Sequence, residues 1–216
     1  METQQSLFIS SLQEPETKEK AFKRLVQEYK ERLYWHIRKL VLDHDDANDV
    51  VQNTFIKIHL NIDKFKGDSS LYTWMYRIAT NESINFINSK SSKMGLQNQE
   101  WIEAKANGLK ADSYFDGDEA ALILQKIITK LPEKQRIVFN MKYFDGQTYE
   151  SMAKILDTSI GALKASYHHA VKKIKSQFKK IFVMNNSRRS FIKKSALAVA
   201  GSSVLSKISF ANAFNV

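Results

Sequence analysis

The chain has 216 residues, room for one large domain or two small ones. Its 7 glycines and 2 prolines are too few for a turn-rich all-β design, and with no cysteine it can form neither disulfides nor thiolate metal sites. A net charge of +10, from 33 Lys and Arg against 23 Asp and Glu, favours an anionic partner, either nucleic acid or a membrane surface.

Residues 1–19 read as a polar lead-in, with Leu7, Phe8, Ile9 and Leu12 marking at most a weak helical turn. No export signal is visible there, which points to a cytoplasmic protein. A first helical domain occupies 20–90. Phe22, Leu25, Val26, Tyr29, Leu33, Ile37, Leu40 and Val41 recur at helical spacing and predict one long amphipathic helix. Asp43 to Asp46 interrupt it, and Asp45 or Asp46 suits the cap of the next helix. That helix turns Val50, Val51, Phe55, Ile58 and Ile62 inward. The run KFKGDSS, residues 64–70, is a loop by composition. Ser69 or Ser70 can cap a third helix from Leu71 to about Asn88, with Leu71, Trp74, Met75 and Ile78 facing in.

Over 91–118 the periodicity fades and Gly, Asn, Asp and Ser accumulate, predicting a flexible linker. It is acidic through Glu100, Glu103, Asp112, Asp116 and Asp118, and Trp101 and Ile102 are its candidates for docking. A second helical domain spans 119–182. Pro132 suits the first turn of a helix carrying Ile137, Val138, Met141 and Phe144, closed by Asp145-Gly146. From Thr148 to Ile174 come two short helices. Tyr149, Met152, Ala153, Ile155 and Leu156 stripe the first; Asp157, Thr158 and Ser159 break the pattern. Ile160, Leu163, Tyr167, Val171 and Ile174 stripe the second, leaving Lys164, Ser166, His168, Lys172 and Lys175 outward. Such a pair fits a helix-turn-helix reading the major groove, or an αα-hairpin with a solvated basic face. The fold class is all-α: two small helical domains on a flexible linker.

Two blocks carry a family resemblance. The run DHDDANDVVQNTFIKIHLNIDKFKGDSSLYTWMYRIATNESINF resembles region two of bacterial extracytoplasmic-function (ECF) sigma factors, and LPEKQRIVFNMKYFDGQTYESMAKILDTSIGALKASYHHAVKKIK resembles their region four. The resemblance implies that Asp46, Asp49, Gln52, Asn53 and Phe55 dock on core RNA polymerase. Asp49 and Gln52 lie one turn apart, so a carboxylate and an amide can meet a basic partner together. Asn53 stands where the family usually has Glu. Lys64, Phe65, Lys66, Gly67, Asp68 and Ser69 of the loop, with Trp74, Arg77 and Asn81 of the helix after it, fall on the element that opens the promoter at minus ten. There the lysines meet phosphates, and Tyr72, Trp74 and Tyr76 offer flat faces to unstacked bases, although the spacing of Trp74 with Leu71 and Ile78 favours a core role over stacking. Lys164, Ser166, His168, His169 and Lys172 match positions facing the minus-thirty-five element. Ser166 and His169 stand where Arg is frequent, and Asp157 replaces a frequent Gly but tolerates a left-handed backbone. Tyr167 is assigned to the core.

The resemblance further implies a transcription initiation factor and not an enzyme. Its partners would be core RNA polymerase, promoter DNA as duplex and as melted non-template strand, and an anti-sigma factor, often membrane-bound. No small-molecule substrate, cofactor or metal is implied. Two alternatives stay open: a helix-turn-helix regulator that binds duplex DNA without polymerase, and a membrane-associated helical protein resting on the tail. That tail, residues 183–216, changes character. Ser187-Arg188-Arg189-Ser190-Phe191-Ile192-Lys193-Lys194, the apolar stretch Ala196 to Leu205 and Ala211-Asn212-Ala213 resemble a twin-arginine signal. Because such signals act at an N-terminus, residues 184–216 are expected to be the start of a neighbouring exported reading frame, fused behind Met184 and outside the folded protein.

Overall fold

The computed structural model describes residues 2–108 and 119–184, and every long regular element among them is helical. Linker residues 109–118, with Asp112, Asp116 and Asp118, and tail residues 185–216, which hold the twin-arginine-like motif, lie outside the described residues.

Helix α1 (Glu2–Gln13) turns the polar lead-in into structure, because Leu12 is fully buried with Phe8 and Ile9 packed beside it. Helix α2 (Pro15–Val41) starts on Pro15, whose missing N–H costs nothing in a first turn. It buries Leu25, Leu33, Ile37 and Val41 and ends at Leu42, a left-handed residue at φ 68°. That turn makes Asp43 the first extended residue after it. Asp43, rather than Asp45 or Asp46, therefore caps α3 (His44–Asn61), its Oδ1 accepting from the N–H groups of Asp45 and Asp46 at 3.1 and 3.0 Å. A single 3-10 turn, Ile62–Lys64, leads into the loop. Helix α4 (Leu71–Lys93) runs more than a turn past Asn88.

The predicted linker is helical in its first half. Helix α5 (Asn98–Gly108) buries Trp101 at 2% exposure and Ile102 at 0%, an anchor strong enough to order a stretch with little periodicity of its own. Helices α6 (Glu119–Thr129), α7 (Glu133–Tyr143), α8 (Tyr149–Leu156) and α9 (Ile160–Met184) complete the second unit. Leu124, Ile127, Ile128, Leu131, Phe139, Ala170, Val171 and Ile174 form its own core. A larger core does not respect the boundary between the units. It joins Leu25, Ile37, Met75 and Tyr76 of the first to Ile137, Met141, Met152, Ile155 and Leu163 of the second. No described helix is long and apolar enough to cross a membrane.

Candidate nucleic-acid and partner interfaces

Three surfaces gather the residues singled out above. On α3, Asp49, Gln52 and Asn53 are exposed along one side. Next to them Ile56 and Leu60 stand 50% and 67% exposed, at the edge of a groove of about 540 Å³ that Phe22, Val26, Val51, Phe55 and His59 also line. One carboxylate with two amides beside open apolar side chains is suited to a partner that is both basic and apolar. Phe55 belongs to the floor of this groove, only 8% exposed and edge-on to Phe22 at 6.3 Å. Asp46 is placed differently from its neighbours. It is 8% exposed, and Lys105 of α5 lies 2.7 Å from its Oδ2 and 3.2 Å from Asp43 Oδ2, with Lys90 at 3.7 Å from Asp46 Oδ1. Burial alone would raise the Asp43 carboxyl, but the N–H of Asp46 and the Lys105 ammonium outweigh it and hold its pKa below the ordinary value.

The second surface is the loop after α3. Phe65 is buried, its ring 5.3 Å from Trp74, so it anchors the loop from below instead of presenting itself to DNA. Lys64, Lys66, Gly67 and Asp68 are exposed above it, with Ser69 half-buried. Gly67 holds φ at +80°, a value that a side chain would strain. The lead-in supports this loop in a way its sequence did not advertise. Gln13 Nε2 donates to the carbonyls of Ile62 and Phe65, both at 3.0 Å, and Lys18 pairs with Asp63 at 2.8 Å.

On α4, Arg77 and Asn81 are exposed one turn apart, and Trp74 and Ile78 are half-buried between them and the core. Tyr76 is not available for stacking on bases: it is 2% exposed, and burial together with nearby Asp145 pushes its hydroxyl far above the ordinary pKa. Tyr72 is half-buried too, with Arg32 over its ring at 4.3 Å and Gln147 Nε2 donating to its hydroxyl at 3.3 Å. The loop and helix are joined by Ser70, whose Oγ accepts from Thr73 N at 3.1 Å. A Ser70→Ala variant is expected to cost about 1 kcal/mol of stability. Denaturant unfolding checks the value, and an unchanged midpoint would show the cap to be dispensable.

The third surface is the helix pair α8–α9. Thr148 caps α8, accepting from Ser151 N at 3.1 Å. Asp157 takes the left-handed conformation at φ 48°, ψ 50° and its N–H donates to Ala153 O, which ends α8 and sets the turn. On α9, Lys164, His168, His169 and Lys172 are exposed and Ser166 is half-buried. Exposed Lys173, Lys179 and Lys180 prolong the basic face beyond the positions singled out from sequence. Tyr167 is half-buried and stacked on Phe139 at 5.8 Å, in keeping with its spacing.

One polar cluster lies between the units, and no local pattern points to it. Asp145, its side chain 4% exposed, places Oδ2 2.8 Å from His36 Nδ1 and Oδ1 2.7 Å from Lys39 Nζ. His36 is fully buried, tilted on Tyr76 at 4.2 Å between ring centres, with Nε2 2.9 Å from Thr80 Oγ1. Thr80 donates its own proton to Tyr76 O at 2.8 Å. His36 thus lies between the Thr80 hydroxyl on one side and the Asp145 carboxylate on the other. Asn140 Nδ2 adds a bond to Lys39 O at 3.2 Å.

The known proteins that resemble this chain do so over these same segments. The family model Sigma-70 region 2 matches residues 25–93, and Sigma-70, region 4 matches residues 121–174. The ECF RNA polymerase sigma-E factor of Escherichia coli is 31% identical over 160 residues, which cover 70% of this chain and 83% of that protein. The ECF RNA polymerase sigma factor SigW of Bacillus subtilis is 28% identical over 167 residues, covering 74% of this chain and 89% of SigW. Among solved structures, CnrH in complex with the cytosolic domain of CnrY aligns with a TM-score of 0.60 at 19% identity, covering 82% of this chain and 97% of that one. The sigma factor RpoE, in complex with the anti-sigma factor NepR from Bartonella quintana, aligns at 0.58 and 22% identity, covering 74% and 98%. At such identities the two structures speak to the fold.

Proposed function

The chain belongs to the sigma-70 family of RNA polymerase sigma factors, among those of the ECF type, and from that premise we propose which surfaces perform each step of initiation. The exposed Asp49–Gln52–Asn53 strip with the Ile56/Leu60 groove docks on core polymerase. Asp46 joins it only after release from Lys105. Lys64, Lys66 and Gly67 grip the melted non-template strand at minus ten, and Trp74, Arg77 and Asn81 line its path. Lys164, Ser166, His168 and His169 read the minus-thirty-five duplex, while Lys172, with Lys173 and Lys179 behind it, holds phosphate. Phe65, Tyr76 and Tyr167 are structural. The protein has no active site of its own and works in the cytoplasm, where its polymerase is. An anti-sigma factor is its proposed regulator, by analogy with the RpoE relative bound to NepR.

The observation that carries this reading is the separation of three differently equipped surfaces on one small chain: acidic and apolar on α3, basic and glycine-hinged in the loop, basic along α9. A regulator binding duplex DNA alone would use only the last. The test is transcription in vitro with sigma-free core polymerase and pooled genomic fragments, on the full chain and on residues 1–183. Promoter-dependent transcripts from both support the reading and leave residues 184–216, which we take for a fused twin-arginine signal, without a part in it. Specific duplex binding with no transcript from either would transfer the protein to the regulators.

A further inference from the structure

The loop after α3 and the start of α4 are supported from two sides. At the far end Lys154 Nζ donates to Asp68 O at 3.3 Å, and Ser151 Oγ lies 3.5 Å from Thr73 Oγ1. At the near end the support comes from the lead-in, ahead of residues 25–93 that the region 2 model matches. Gln13 is the last residue of α1, and its neighbours set its place. Leu12 is fully buried in the core that also holds Ile62 and Phe65, and Pro15 opens α2.

An amide nitrogen carries two hydrogens, and Gln13 Nε2 has an acceptor for each, Ile62 O and Phe65 O, both at 3.0 Å. Those two carbonyls bracket Asp63 and Lys64, and the second immediately precedes Lys66 and Gly67. One side chain therefore fixes the base from which the exposed lysines rise. Phe65 N donates to Ile62 O at 3.0 Å and closes the same turn from within. A loop already held in its binding shape avoids the cost of ordering when it takes a ligand. Lys18 acts on charge instead of shape. The Asp63 side chain is 54% exposed next to Lys64, where its carboxylate opposes any phosphate the loop lysines attract. Lys18 Nζ lies 2.8 Å from Asp63 Oδ2 and offsets that charge. An ion pair this open adds little to stability, so its effect falls on the field the loop shows to DNA.

We propose that Gln13 and Lys18 belong to the promoter-strand site: Gln13 as a positioning residue that holds the loop in the shape that receives unstacked bases, Lys18 as the charge that offsets Asp63. The inference rests on the sigma reading above. The test assembles the full chain with core polymerase and measures capture of a labelled single strand. That strand carries the non-template minus-ten sequence of a promoter found among the pooled fragments, and a scrambled strand is the control. Gln13→Met keeps side-chain length and helix preference but has no N–H to donate. It is expected to weaken capture of the matched strand about five- to tenfold and to narrow the matched-to-scrambled ratio, with core affinity unchanged. Unchanged capture, or a loss that falls equally on the scrambled strand or on core affinity, would overturn the positioning role. Lys18→Ala is expected to weaken capture of both strands about threefold at low salt, the gap closing as salt rises. A gap that ignores salt, or no gap, would remove the charge role. Wild-type capture with indifferent variants overturns this inference alone, whereas a wild type that yields no promoter or captures neither strand overturns the sigma reading with it.

Discussion

An Asp145→Ala variant is expected to lose about 3–5 kcal/mol of stability, the scale for removing one partner of a buried ion pair. The carboxylate has the Lys39 ammonium and the His36 ring beside it and little water: its side chain is 4% exposed, His36 is fully buried and Lys39 is 18% exposed. Truncation leaves His36 and Lys39 facing each other with nothing between. Asp145→Asn should fall between the two, since an amide keeps the shape and one acceptor but not the charge. Burial would raise the Asp145 carboxyl, but His36 and Lys39 outweigh it and hold its pKa below the ordinary 3.8. A depressed carboxylate contributes stability that is fully present above its unfolded pKa and disappears as pH falls through the folded value. The wild type should therefore lose this contribution only below about pH 4, and the Ala variant should lack that acid limb. Denaturant melts of both proteins from pH 7 to pH 3 test it. Parallel curves across the whole range would show that the cluster contributes nothing by its charge.

The other large effect is expected on α3. Asp49→Arg combined with Gln52→Ala should reduce transcription at least about thirtyfold, the lower end for losing and opposing a charge contact at a protein interface. Both side chains are exposed, so the melting midpoint should stay within the range of ordinary surface changes. The pairing of a large functional loss with an unchanged melt separates docking from folding. If transcription survives, the polymerase engages another face, and the Ile56/Leu60 groove becomes the next place to look.

These two sites also mark where sequence reasoning succeeds and where it stops. Asp49 and Gln52 are one turn apart on a strongly periodic helix, so their shared exposure can be read from the pattern alone. The paired helices α8 and α9 are equally legible, because Asp157 to Ser159 break an otherwise continuous stripe. Asp145 meets His36 across 109 residues, and no local pattern links them. Helices α1 and α5 are underestimated by periodicity for a related reason. Each has few apolar residues, and what orders them is the depth to which Leu12, Trp101 and Ile102 are buried in a core built mainly by other segments. The cap of α3 falls on Asp43, ahead of Asp45 and Asp46, because the left-handed turn at Leu42 is set by packing: no glycine marks it. Asp46 resembles its neighbour Asp49 by type, and its burial with the approach of Lys105 and Lys90 distinguishes them.

The contact between Thr73 and Ser151 spans 78 residues, and so it has an order in time as well as in space. A ribosome adding roughly 5–20 residues per second makes Ser151 about 4–16 s after Thr73. For that interval the nascent first half carries its docking strip and promoter loop while α8, which later packs on α4, is not yet made. Packing of α8 on α4 therefore belongs to the finished chain, whereas α5 can reach the first unit while synthesis continues.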